Sequence, residues 1–146
     1  MILDRSPPVS RRRPAHLTQK RGIRHRIAPS ATAFSAQFFA DLLGLEITAE
    51  WGPFVAVGLS NGVTLDFATI PSDHIAMQHY AFLVSEEEFD AAYARISERG
   101  IEHYADPHRQ QPGAINHNDG GRGVYFMDPA GHAMELITVP YGGWTP

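Results

Sequence analysis

The chain contains no cysteine among its 146 residues. A thiolate nucleophile, a disulfide framework and Cys-ligated zinc or iron–sulfur are therefore excluded, and any metal must be held by imidazole and carboxylate. Several side chains of these types stand in extended runs. Glu135 interrupts Ala133-Met134-Glu135-Leu136-Ile137, His79 opens His79-Tyr80-Ala81-Phe82-Leu83-Val84, and Asp66 lies in Val63-Thr64-Leu65-Asp66-Phe67. His25 sits between Arg24 and Arg26 in Gly22–Ile27. A carboxylate buried unpaired among apolar neighbours is costly, so Glu135 needs a cation, a hydrogen bond or solvent. Strand alternation puts Ala133, Glu135 and Ile137 on one face, with Met134, Leu136 and Thr138 on the other. His79 and Ala81 likewise share a face, while Tyr80 and Phe82 turn toward a helix. The plainer readings are a core histidine bonded to backbone at 79, a surface histidine at 25 and an acid at a sheet edge at 66.

The elements that must position these groups read as two copies of one unit. After the short extended segment Ile23–Pro29, Phe34, Phe38 and Leu42 recur at helical spacing, widened by Phe39 and Leu43. Ser30 or Thr32 can cap this helix, and Gly44 suits its end. Strands are predicted at 45–50, 54–59 and 63–70, broken by Gly52-Pro53 and Ser60-Asn61-Gly62. The second unit begins at 78–84. Its helix opens with the capping-box spacing Ser85-Glu86-Glu87-Glu88, carries Phe89, Tyr93 and Ile96 inward and stops at Gly100. Strands follow at 101–105, 123–128 and 132–140, and Asp128-Pro129-Ala130-Gly131 fits a type I turn.

Gly44-Leu45-Glu46 recurs as Gly100-Ile101-Glu102, 56 residues on, and His25 and His79 are 54 apart. Asp66 occupies in the first unit the strand that Glu135 occupies in the second. A unit that cannot bury its own sheet alone pairs with its twin. The second copy also carries an insertion, Asp106–Gly120, of a length that is usually functional or mobile. His103, His108, His117, Asn116 and Arg122 flank or lie near it and are candidates for a pocket mouth. Gly120-Gly121-Arg122-Gly123 lacks the Lys-Ser/Thr of a phosphate loop.

The bulk numbers suit one globular domain: 43% hydrophobic and 19% charged residues, with no apolar run long enough to span a bilayer. Residues 1–26 hold eight of the twelve basic groups against one acid, while residues 27–146 hold four arginines against fifteen acids, a net charge of −11. So acidic a body argues against nucleic acid as partner. The organisation expected is a disordered basic leader over 1–22, a single domain over 23–142 with modules at 23–70 and 77–142, and a tail at 143–146. Pro7, Pro8 and Pro14 interrupt the amphipathic helix that a transit peptide would form in the leader. A soluble, cytoplasmic protein with a small-molecule substrate and no membrane partner is expected.

Three segments carry a resemblance to a known family. Phe38-Phe39-Ala40-Asp41-Leu42-Leu43-Gly44-Leu45 is similar to the first-helix signature of the vicinal-oxygen-chelate superfamily of glyoxalases, bleomycin-resistance proteins and extradiol dioxygenases. His79–Val84 resembles its second-module first strand. Gly123-Val124-Tyr125-Phe126, Asp128-Pro129-Ala130-Gly131-His132 and Glu135-Leu136-Ile137 resemble its closing hairpin, the most specific part of a match running from about His25 to Gly142. The resemblance implies an α+β fold of paired β-α-β-β-β modules forming a curved mixed sheet around a central cleft. It implies His25, His79 and Glu135 as ligands of a divalent ion such as Fe, Mn, Zn or Ni, which leaves positions open for water and substrate. It makes Asp66 a general base or a partner of metal-bound water, and it suggests a homodimer. The functions implied are a metal-dependent lyase/isomerase or ring-cleaving dioxygenase acting on vicinal oxygens. The alternatives are a metal-free drug-binding protein of the bleomycin-resistance kind and thiol transfer to an antibiotic epoxide.

Overall fold

A computed structural model describes residues 32–144. The leader, the extended segment at 23–29 with His25, and the cap position Ser30 lie outside the described residues.

Helix α1 (Thr32–Leu43) and helix α2 (Glu86–Glu98) end in the same way. Gly44 and Gly100 take φ of +67° and +62°, and the next residue's N–H returns to the carbonyl five positions back: Leu45 to Ala40 at 2.8 Å, Ile101 to Ile96 at 2.9 Å. The left-handed glycine makes that reversal cheap, so the sequence repeat marks a repeated helix stop. At the start of α2, Glu88 N–H donates to Ser85 Oγ and Ser85 N–H to the Glu88 carboxylate, satisfying two orphan donors. Ser85→Ala is expected to lower stability by about 1 kcal/mol, read as a shifted urea midpoint with unchanged slope.

Helix α1 buries the expected stripe from Phe38 to Leu43, with Phe39 and Leu42 in the core and Phe38 and Leu43 packed against it, but not its first member. Phe34 is 69% exposed, whereas Ser35, Ala36, Phe39, Ala40 and Leu42 are buried. Small residues at 36 and 40 let the helix axis approach closely, and that approach outweighs the pull of one large ring. Phe39 then stands between the two sheets, 5.9 Å from the Phe67 ring and 4.9 Å from Phe82.

Strands β1 (Ile47–Trp51), β2 (Phe54–Gly58) and β3 (Thr64–Ala68) form an antiparallel meander. Strands β4 (His79–Leu83), β5 (His103–Tyr104), β6 (Gly123–Met127) and β7 (Ala133–Ile137) form a second sheet, ordered β4-β7-β6-β5, with β4 parallel to β7. Tyr80, Phe82, Val124, Phe126, Met134 and Leu136 point from the second sheet into one core, shared with α1, α2, Val57, Leu65 and Phe67. The opposite face of that sheet is left to carry His79, Ala81, Tyr125 and Glu135.

The expected strand at 101–105 shrinks to two paired residues because the chain folds back on itself. Gly113 N–H donates to His103 O and Ala105 N–H to Gln111 O, so the insertion is an ordered loop stitched to β5. Gly123 is needed where this loop docks, since a Cβ there would meet the Asn116 amide at 2.7 Å.

Candidate metal centre

Glu135 occupies the middle of β7, with β4 on one side and β6 on the other. Its side chain is 1% exposed, yet its Oε2 lies 3.0 Å from His79 Nε2. The Tyr141 hydroxyl donates to the same oxygen. Tyr125, directly opposite Glu135 in the β6–β7 hairpin, sets its ring at a tilt 5.9 Å from the His79 imidazole. A buried carboxylate is thus partnered by one imidazole and ringed by two phenols.

Both phenols hold their protons tightly. Burial raises the Tyr125 pKa first, and hydrogen bonding with Glu135 and Tyr141 raises it further. Tyr141 is pushed up to about 12, by desolvation of its inward-turned hydroxyl and then by its bond to Glu135, although most of the residue is exposed. At neutral pH both therefore remain O–H donors, and ionisation would put a second anion beside Glu135.

The donors suit a divalent cation. Two ligands each about 2.1 Å from one ion, at tetrahedral or octahedral angles, stand roughly 3.0–3.4 Å apart, and the His79–Glu135 separation is 3.0 Å. With the proton on Nε2, His79 donates to Glu135; as a ligand the same nitrogen offers its lone pair, and the proton must sit on Nδ1 or leave. Among the described residues no group of three His, Cys, Asp or Glu side chains converges. The third implied ligand, His25, lies outside them.

Asp66 sits in β3, in the other sheet, between the inward Leu65 and Phe67. It makes no hydrogen bond or ion pair with His79 or Glu135 among the described residues, and its Oδ1 is buried without a partner. The expected pocket-mouth residues are placed otherwise. Arg122 bonds Glu86 and Asp90 and lies 4.5 Å over the Phe89 ring, which ties β6 to α2. His103 packs edge-on against Tyr93, with their polar atoms 3.3 Å apart, and Asn116 Nδ2 donates to Ala105 O. His108 and His117 are exposed.

Three contributors were not among the expected site residues. Tyr125 could have been found from hairpin register, since a type I turn followed by the left-handed Gly131 pairs Asp128 with His132 and so sets Tyr125 opposite Glu135. Tyr141 follows the last strand, with nothing local to show that its hydroxyl returns to Glu135. His132 is 2% exposed, and its Nδ1 accepts from Gln78 N–H at 3.1 Å, which fixes the chain immediately before His79.

Two α/β units sharing one core, with an imidazole and a carboxylate paired on the free face of the second sheet, define a protein of the paired-module type. The sequence profile of the Glyoxalase/Bleomycin resistance protein/Dioxygenase superfamily matches residues 16–136, and the chain belongs to that family. Among solved structures it is similar to oxidase ChaP-H2, at 50% identity and a TM-score of 0.78 over 82% of this chain and 93% of that one. It is equally similar in sequence to oxidase ChaP-H1, with a TM-score of 0.76 over 82% and 95%. The glutathione transferase FosA of Serratia marcescens is 30% identical over 115 residues, 75% of this chain and 74% of that protein. Among the described residues no helix is long and apolar enough to cross a membrane.

Proposed function

We propose that this protein is a divalent-metal-dependent enzyme acting on a small molecule with vicinal oxygens, and that its reaction is oxidative. The observation that carries the metal reading is Glu135, a buried carboxylate held 3.0 Å from the only imidazole beside it among the described residues, on a sheet face the core leaves free. His79, Glu135 and His25 would hold the ion. A bound divalent ion polarises two adjacent substrate oxygens and supplies sites for dioxygen or water. The oxidative branch is supported by 50% identity to the two oxidases, against 30% to the glutathione transferase.

The protein's own part is positioning. Tyr141 ties down one lone pair of Glu135 and so fixes the carboxylate plane. His132, through Gln78, holds the backbone at the start of β4, and the protonated Tyr125 presents a donor beside His79. Asp66 is proposed as a proton-transfer group, on the strength of its unpartnered buried oxygen. Asp66→Asn is expected to keep metal affinity within about tenfold and to slow oxygen uptake by roughly 10²–10⁴-fold, measured on iron-loaded protein with catechol as the vicinal-oxygen probe. Loss of metal on that substitution would instead make Asp66 a ligand. A homodimer is part of the proposal; sedimentation of the full chain tests it.

A further inference from the structure

Past the His79–Glu135 pair the free face of the second sheet deepens into a pocket of about 110 Å³. Its walls are Tyr104 and Tyr125, partners in register on neighbouring strands, with Met77, Met127 and Ala133. Ala133 is the register partner of His79, so the pocket opens beside the candidate metal ligands. Aromatic rings and thioethers make a flat, polarizable lining, and the volume is on the scale of an apolar cavity of about 150 Å³ that takes up benzene.

Among the described residues one cation reaches this lining. Residues 27–146 are strongly acidic and contain only four basic side chains, Arg95, Arg99, Arg109 and Arg122. Arg95 donates to Leu42 O, Arg99 pairs with Asp41, and Arg122 pairs with Glu86 and Asp90. Among the described residues the Arg109 guanidinium has no such partner, and Arg109 lines the pocket. Its backbone is held at φ +60°, uncommon for a residue with a side chain. The Asp106 carboxylate imposes that turn by accepting from the N–H groups of His108, Gln110 and Gln111 at 2.8–2.9 Å. A strained residue in a clamped loop, aimed at a pocket, is where function concentrates. Hydrogen bonding with Glu102 raises the Tyr104 pKa, and the positive charge of Arg109 opposes that rise.

We infer that Arg109 is the anion-recognition residue of this cleft, and that the substrate is a planar aromatic acid whose ring lies against Tyr104 and Tyr125. Its acidic group faces Arg109 and its vicinal oxygens face His79 and Glu135, a placement that rests on the reading of that pair as the reacting end. The planar fork of arginine suits a carboxylate, and the aromatic walls suit a ring.

Benzoate and its uncharged analogue benzyl alcohol separate this inference from the metal reading when both are titrated into the full chain in chelator, where no metal contributes. Binding is followed by ligand NMR on wild type, Arg109→Gln and Arg109→Lys. Wild type is expected to bind benzoate about tenfold more tightly than benzyl alcohol, the exposed guanidinium giving only part of a charge-assisted bond. Arg109→Gln should erase that preference without changing benzyl alcohol binding, and Arg109→Lys should restore part of it. Equal affinity of wild type for the two probes, no binding of either, or an unchanged preference in Arg109→Gln would overturn the inference. Loss of metal binding in a separate titration would leave the benzoate result intact and would count only against the metal reading.

Discussion

Glu135→Gln is expected to lower affinity for divalent metal by more than about 100-fold, beyond the roughly 10–100-fold typical of groups that only orient a ligand. The amide keeps the shape of the carboxylate and can still accept from Tyr141, so the fold should survive. What it loses is the negative charge that a dication needs when its other ligands are neutral imidazoles. A structural pairing of His79 with Glu135 leads to the opposite pattern. The amide would then weaken an ion pair with a carboxylate only 1% exposed, stability would fall, and metal would be indifferent to the change. Calorimetric metal titration and thermal unfolding of the same variant distinguish the two. Affinity should also fall in acid, because ligation requires a neutral imidazole.

Phe39→Ala is expected to cost about 3–5 kcal/mol, a large share of the roughly 5–15 kcal/mol that holds a domain of this size together. Phe39 is 1% exposed and touches Phe67 of the first module and Phe82 of the second. Its loss opens a cavity where the two units meet. The neighbouring Phe34→Ala, at a position 69% exposed, should change stability by less than about 0.5 kcal/mol. Urea unfolding of the pair shows which face of α1 carries the core. Equal effects would restore the stripe that the aromatic spacing suggests.

That contrast also marks what the sequence makes legible. Period-two alternation carried the second sheet: it separated Tyr80 and Phe82 from His79 and Ala81, and Met134 and Leu136 from Glu135, as the core and the free face do. The repeated Gly-branched-Glu segment carried the module duplication, because a left-handed helix stop is a local feature with a local residue requirement. The outward turn of Phe34 was hidden, because an aromatic stripe gives no weight to the small residues Ala36 and Ala40 through which the helix packs closely. Tyr141 and Arg109 were hidden for another reason. Each reaches the site through a loop whose path is set by tertiary hydrogen bonds, to Glu135 in one case and through Asp106 in the other.

The most direct measurement is the metal content of the full chain, purified without chelator, then saturated with Fe(II), Mn(II), Zn(II) or Ni(II) and dialysed. Wild type should retain about one ion per chain, and His79→Ala and Glu135→Gln should each retain almost none. A wild-type protein that keeps no ion after saturation, or variants that keep as much as wild type, would contradict a metal centre built on His79 and Glu135.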